Sequence, residues 1–396
     1  MSGRRGAPRR GGRRPDRRRA ARGASVVGRR YEVEVGPIAH GGHCVARVPD
    51  GDATRVVFVR HALPGEHVVV ELTEGTEGDR FWRGDAVRVL SASPDRVAAP
   101  CPVAGPGLCG GCDFQHVTLT RQRELKAEVV REQLRRIAGL DRDQPEPLVR
   151  DLVVEPVPGD VDGLRWRTRQ RYVELPDGRR GMRKHRSHEV VPVDDCLLEA
   201  ASGPSYRVRE HAFEVADGGF WQVHPGAPEA LVGAVLDALA PRPGESALDL
   251  FAGVGLFSRF LLDAVGPEGR AAAVEGDPVA SGLSRRNCPG IDTTAGDVAE
   301  VLREEYPGHW DLVVLDPPRT GAKRAVVEQV VARSPRAVAH VACDPAALAR
   351  DVSIFAEHGY RLAGLRAFDL FPMTHHVECV ALLEPADRAA RQRTTS

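Results

Sequence analysis

Apolar and polar positions follow two different periods along this chain. Between residues 31 and 90 the segments YEVEVG, HCVARVP, RVVFVR, HVVVEL and DAVRVL alternate or run β-branched, with Gly, Pro and Asp between them. That pattern predicts short strands. Five strands packed into so short a stretch predict a small OB-like β-barrel, a fold that often takes oligonucleotides. The segment LTRQRELKAEVVREQLRRIAG predicts a helix over 119–138, with Leu125, Val129, Leu134 and Ile137 near helical spacing and Gly139 at its stop. Its arginines form either a solvated face or an RNA face. Residues 151–199 read as strands again. In LRWRTRQRYVEL, Trp166 lies among Arg165, Arg167, Arg169 and Arg171. This predicts a strand with one basic face, fit for RNA or for guarding a sheet edge.

From about residue 229 the texture changes. Helical stretches alternate with the apolar runs SALDLF, AAAVEG, DLVVLD, AVAHVA and ECVALLE. Such alternation predicts a parallel α/β sheet with helices on both faces. The expected division is a basic tail over 1–30, a barrel over 31–92, a cysteine-bearing central domain over 93–215, an α/β domain over 216–386 and a tail over 387–396.

Composition sharpens this picture at two points. The formal net charge is zero, yet residues 1–30 hold twelve arginines against the single acid Asp16. The remainder therefore sits near −11, from 0 − (12 − 1). So Arg/Gly/Pro-rich a tail has little to bury and is expected to be disordered, serving as an arm for phosphate backbones or as a solubilising leader. No run approaches the ~20 apolar residues of a membrane span, and no apolar signal core begins the chain, which predicts a cytoplasmic protein without membrane contact. A monomer is the default expectation.

The chemistry concentrates where the apolar runs end. In ALDLFAGVGLFS, Gly253 and Gly255 let backbone approach a ligand, and ligands of open α/β sheets bind at the carboxyl ends of strands. The third glycine of the dinucleotide fingerprint is missing. Glu275 ends the next run and is placed for ribose hydroxyls, while Asp297 is placed for an adenine amino group or for capping a helix. Together these predict a nucleoside cofactor. DLVVLDPPRTG ends a run at Asp316, and its two prolines stiffen the exit. Asp-Pro-Pro is common in methyltransferases acting on planar bases, and Arg319 in place of an aromatic residue argues against methylation of an exocyclic amino group.

One run later, AVAHVACDPAALARD places Cys343 at a strand end. Carbon 5 of uracil is too poor a nucleophile to attack a methyl sulfonium unaided. Thiolate addition to C6 makes it an enolate that reacts at C5, and a base must then remove the C5 proton. Glu378, in DLFPMTHHVECVALLE, is an acid entering an apolar strand, as a buried general base would be. Cys101, Cys109, Cys112 and Cys196 form a separate group, with C-x7-C-x2-C spacing before the distant fourth. Zinc or a 4Fe–4S cluster would suit four thiolates.

The ordered set FWQV, DLFAGVG, DPPR, CDP and FPMTHHVE resembles the uracil-C5 RNA methyltransferases, which modify transfer RNA or large-subunit ribosomal RNA. The resemblance runs from about residue 31 to 384. It implies a Rossmann-like class I methyltransferase domain with Cys343 as nucleophile and Glu378 as base. It implies S-adenosylmethionine contacts from Gln222, Phe251, Glu275 and Asp297, with Gly253 at the turn and Asp316 orienting the base or the cofactor. HGGHCVARV and LPGEHVVVEL are similar to the family's N-terminal TRAM module, and the four cysteines to its iron–sulfur branch, although the first gap is two residues longer. Leu256 stands where the family often has Asn. The implied activity is methylation of uridine C5, 23S rRNA being favoured over tRNA, on a base flipped from its stack. The alternatives are a non-catalytic iron–sulfur RNA-binding relative and a methyltransferase of another target.

Overall fold

The computed structural model describes residues 23–140 and 147–386. Most of the expected basic tail, the expected C-terminal tail and residues 141–146 lie outside the described residues.

The first unit is a six-stranded barrel: β1 (Arg30–Glu34), β2 (Ile38–Ala39), β3 (His43–Asp50), β4 (Ala53–Arg60), β5 (His67–Glu74) and β6 (Phe81–Ser91). The spatial order is β1-β5-β6-β4-β3-β2. Alternate side chains point inward, as Val68, Val70 and Leu72 do along β5. The two ends of this order are consecutive in the chain. Val35 N–H donates to Glu66 on one side, and Gly36 N–H donates to Val45 on the other. A Cβ on Gly36 would lie 2.8 Å from the Val45 carbonyl oxygen, so glycine lets the chain change partners and close the barrel. Packing begins before residue 31: Val26 is fully buried and Ser25 bridges Thr76.

Helix α1 (Leu119–Ile137) follows. It buries Leu125, Val130 and Leu134, while its cations are mostly paired: Arg121 with Glu124 and Glu128, Arg123 with Asp160, Arg136 with Glu132. Lys126, fully buried, donates to Asp369 Oδ1 at 2.5 Å and to the Phe371 carbonyl at 3.1 Å. The central region then holds α2 (Pro147–Arg150), β7 (Val154–Glu155), a small sheet of β8 (Val173–Glu174), β9 (Arg180–Arg183) and β10 (Val190–Pro192), and the pair β11 (Arg207–Val208) and β12 (His211–Ala212). The expected basic strand at 165–171 is irregular instead, and only Arg167 makes an isolated bridge, to Glu199. Arg165 takes φ 55° and pairs with Asp195, and Trp166 is buried against Leu198 and Met373, which together break the alternation.

The α/β domain comprises α3 (Ala227–Leu239), β13 (Ser246–Leu250), α4 (Leu256–Val265), β14 (Arg270–Glu275), α5 (Pro278–Asn287), β15 (Asp292–Ala295), α6 (Val298–Glu305), β16 (Leu312–Leu315), α7 (Lys323–Val331), β17 (Ala337–Ala342), α8 (Pro345–Glu357), β18 (Tyr360–Phe368) and β19 (Glu378–Pro385). The sheet order is β15-β14-β13-β16-β17-β19-β18-β7. The central strands are buried on both faces, so they read as unbroken apolar runs. Leu248, Leu250, Val313 and Val338 face one core with α6, α7 and α8, whereas Ala247, Leu312, Val314 and Val341 face the other with α3, α4 and α5. The sheet is not wholly parallel. β19 runs antiparallel to β17 and β18 because the β18–β19 link has no room for a crossover helix.

Candidate active site

The strand directions bring the predicted residues to one edge. Phe251, Glu275, Asp316 and Cys343 each follow or end a parallel strand, and Asp297 lies two residues beyond β15. β19 runs the other way, so its first residue, Glu378, lies at the same edge. Ala342 pairs with Cys379, and one more step of that antiparallel register sets Cys343 opposite Glu378. A cavity of about 1050 Å³ opens there, lined by Gln222, Phe251, Gly253, Glu275, Asp297, Asp316, Cys343 and Glu378 among others.

The glycine turn is built around a carboxylate. Glu275 Oε2 accepts from Gly253 N–H and its Oε1 from Asp277 N–H, both at 2.8 Å. Phe251 is held at φ 64°, a conformation that costs a non-glycine residue about 1–3 kcal/mol and that gathers at functional sites. The two glycines do different work. A Cβ on Gly255, at φ 91°, would lie 2.7 Å from Ser284 Oγ and 2.8 Å from Cys288 Sγ. A Cβ on Gly253, at φ 55°, would meet no protein atom within 4 Å. Gly253 therefore keeps an open cradle beside the cavity, whereas Gly255 serves packing. Asp297 Oδ1 accepts from Ala299 and Glu300 N–H, so this residue caps α6 while also lining the cavity.

The electrostatics at the edge are unusual. Burial pushes the Asp316 carboxyl up to about 7, helped by Asp249 and Glu275. Asp249 lies beneath the turn, where it accepts from Ser258 Oγ at 2.6 Å, and burial raises it to about 6. Burial and then Asp316 raise Glu378 well above the ordinary carboxyl range, with Arg319 opposing. The Cys343 thiol, half-buried, is pushed up to about 12 by burial and then by Glu378, with Arg319 again opposing. Arg319 Nη2 is 3.4 Å from His376 Nε2, and both line the cavity. Sequence reasoning missed His376, Trp221 and Phe371 as lining residues, because nothing in the spacing marks a loop that folds over a sheet edge. Arg167, Arg169 and Arg171 also line the mouth, despite the lost strand.

The four predicted cysteines converge separately. Cys101, Cys109, Cys112 and Cys196 line one small cavity with Gln115, Arg167, Gln170 and Met182. Gln115 Nε2 donates to Cys112 Sγ at 3.3 Å, and Gly111 N–H to Cys109 Sγ at 3.4 Å. The long first gap is absorbed locally. Cys109 N–H donates to the Val103 carbonyl, which closes a loop that leaves Pro106, Gly107 and Leu108 exposed. Among the described residues, no three of these sulfurs lie within 4.8 Å of one another, whereas three thiolates on one zinc at ~2.3 Å lie about 3.8 Å apart.

Comparison with known proteins agrees with this geometry. Residues 24–87 match the TRAM domain model, and residues 302–386 match the model described as tRNA (Uracil-5-)-methyltransferase. An uncharacterized RNA methyltransferase of Streptomyces avermitilis is 44% identical over 91% of this chain and 99% of that one. The 23S rRNA (uracil(1939)-C(5))-methyltransferase RlmD of Shewanella sp. MR-4 is 29% identical, covering 84% of this chain and 91% of that one. The crystal structure of Pyrococcus abyssi tRNA (uracil-54, C5)-methyltransferase with S-adenosyl-L-homocysteine shares the fold, with TM-score 0.64 at 20% identity over 88% of this chain and 99% of that one. The sheet is thus a Rossmann-like methyltransferase sheet. The chain belongs to the uracil-C5 RNA methyltransferase family and is an RNA methyltransferase. Among the described residues, no helix is long and apolar enough to cross a membrane.

The two glycines give a direct test of this geometry. Gly255→Ala is expected to lower thermal stability by about 1–3 kcal/mol, through the strained φ and the clash. Gly253→Ala is expected to cost less stability but to weaken S-adenosylhomocysteine binding at least tenfold. Calorimetry of both variants checks this. Equal losses of stability, with binding intact in Gly253→Ala, would reject the cradle.

Proposed function

We propose that this enzyme methylates carbon 5 of a uridine in RNA, 23S ribosomal RNA being favoured over transfer RNA, through a covalent adduct on Cys343. The observation that carries the reading is that Cys343 and Glu378, at the adjoining ends of the paired strands β17 and β19, line one cavity that also holds the glycine turn. The favoured RNA follows the name of the Shewanella relative, whose match covers 84% of this chain and 91% of that one.

S-adenosylmethionine would be held by Gln222, Phe251, Gly253, Glu275, Asp297 and Asp316, and the open cradle at Gly253 fits it. When bound, its sulfonium supplies the methyl group. The remaining work falls to this chain. Cys343 Sγ, as thiolate, bonds to C6 of the flipped uracil, and the ring electrons move to the O4–C4–C5 enolate. After C5 is methylated, Glu378 takes the C5 proton. Its electron pair re-forms the C5–C6 double bond and expels the thiolate. A buried carboxyl with a raised pKa is a competent acceptor in that step. The arginines at the cavity mouth face the RNA backbone.

The four cysteines would hold a 4Fe–4S cluster, in a role that is structural and RNA-contacting rather than redox. Protein purified without oxygen is expected to be brown, with about four iron and four sulfide per chain. A colourless zinc protein would reject the cluster.

RNA in which the target uridine is 5-fluorouridine tests the nucleophile. Fluorine on C5 cannot leave as a proton, so a covalent complex should persist with the wild type and be absent with Cys343→Ala. An equally stable complex in the variant would remove Cys343 from this role.

Asp316 adds a pH dependence. Its carboxyl titrates near 7 in the free protein, and a nearby sulfonium favours the ionised form. Binding of S-adenosylmethionine should therefore be strongest above that pH and weaken as pH falls through it. S-adenosylhomocysteine, a neutral thioether, should change less. Parallel pH profiles for the two ligands in titration calorimetry would contradict this placement.

A further inference from the structure

The barrel reaches the catalytic edge through one loop. His40 Nε2 is 3.0 Å from Asp344 Oδ2, and Asp344 directly follows Cys343. Asp344 uses its other oxygen, Oδ1, to accept from Ala347 N–H at 2.8 Å at the start of α8. Two residues on from His40, Gly42 (φ 75°) packs so closely that a Cβ there would lie 2.6 Å from the Cβ of His375. His375 is itself fixed by Asp113, whose Oδ2 lies 2.6 Å from its Nδ1. Its ring lies 4.1 Å from that of His376, which reaches Arg319. A single barrel loop thus spans the turn that carries Cys343 and the connection that leads to Glu378. Between them is a cavity of about 110 Å³, lined by His40, Gly42, Lys126, Arg319, Cys343 and His376 among others. Cys343 therefore lies in the wall between this cavity and the large one.

We propose that the barrel is a working part of the catalytic edge and that His40 is a positioning residue, holding Asp344 so as to set the orientation and the charge beside the Cys343 thiol. The thiol is faced by Glu378 from β19, by Asp316 and Arg319 from the loop after β16, and by Asp344 from its own turn. The three carboxylates all disfavour thiolate, and Arg319 alone of these four groups opposes them. His40 is faced by Asp344, by Arg350 of α8 and by Glu132 of α1. The hydrogen bond to Asp344, against the cost of burial, raises His40 above its ordinary range, so its imidazolium persists to higher pH. A protonated His40 offsets the negative charge nearest the nucleophile in sequence. Loss of His40 leaves that charge uncompensated, and the thiolate fraction falls at any given pH. The same loop would make barrel docking a condition of full thiol reactivity.

This inference rests on Cys343 being the nucleophile, but its test does not require RNA or turnover. The rate at which iodoacetamide alkylates Cys343 is read by peptide mass spectrometry from neutral to alkaline pH, in wild type, His40→Ala and His40→Gln. Buried Cys44 and Cys379 serve as internal controls. His40→Ala should slow alkylation of Cys343 roughly threefold and move its pH profile upward, with the controls unchanged. His40→Gln, which keeps an N–H donor without the charge, should restore part of the rate. Identical Cys343 profiles in all three proteins would overturn the proposal. So would a general rise in reactivity at Cys44 and Cys379, which would make His40 a purely structural contact. Failure of the wild type to methylate RNA would sink the proposed function and leave this measurement standing.

Discussion

One register governs the catalytic edge: the antiparallel pairing of Ala342 with Cys379. Because β19 runs against β17, the end of one strand meets the start of the other, and Cys343 comes to face Glu378. A parallel final strand would have sent Glu378 to the opposite edge. A slip of one residue would have turned its carboxyl to the other face of the sheet. The pairing is secured beside the cavities that share Cys343. Lys126 of α1 binds Asp369 and the Phe371 carbonyl, which anchors the link that folds back into β19.

Burial at that edge sets the chemistry. Burial between apolar strands raises the proton affinity of Asp249, Asp316 and Glu378; Glu275 adds to it at Asp249, Asp249 and Glu275 at Asp316, and Asp316 at Glu378, while Arg319 is the cation that opposes it at Glu378 and at the thiol. Such a site disfavours free thiolate and accepts protons readily. It also favours a positively charged ligand, which is what a sulfonium is. The arrangement asks the substrate complex to complete the electrostatics, so that the thiol stays protonated in the resting enzyme.

Much of this was legible in the sequence. Unbroken apolar runs ending in Gly-rich, Pro-Pro or Cys-Asp-Pro segments marked strands with their chemistry at the carboxyl ends, and Cys343, Asp316 and Glu275 lie there. Glu378 stood out because a charged residue entering an apolar strand is costly without a purpose. The reversal of β19 was hidden, since direction depends on link length rather than on side chains. The strand expected around Trp166 failed because tertiary burial of that ring and the left-handed turn at Arg165 overrode the alternation. The capping role of Asp297 had been weighed against cofactor contact, and the geometry allows both. His40 carried no local signal at all. Its partner Asp344 lies 304 residues away, and only the docking of the barrel brings them together.

The central claim is that Cys343 and Glu378 share one uracil ring, the thiol adding and the carboxylate releasing. Substituting Glu378→Gln separates the two steps, since the amide keeps the shape but takes no proton. With ordinary RNA and S-adenosylmethionine, this variant should accumulate an RNA–protein adduct through Cys343 that already carries the new methyl group, detectable by intact mass. Turnover at the wild-type rate, or a methylated RNA product with no adduct at any time, would contradict the account.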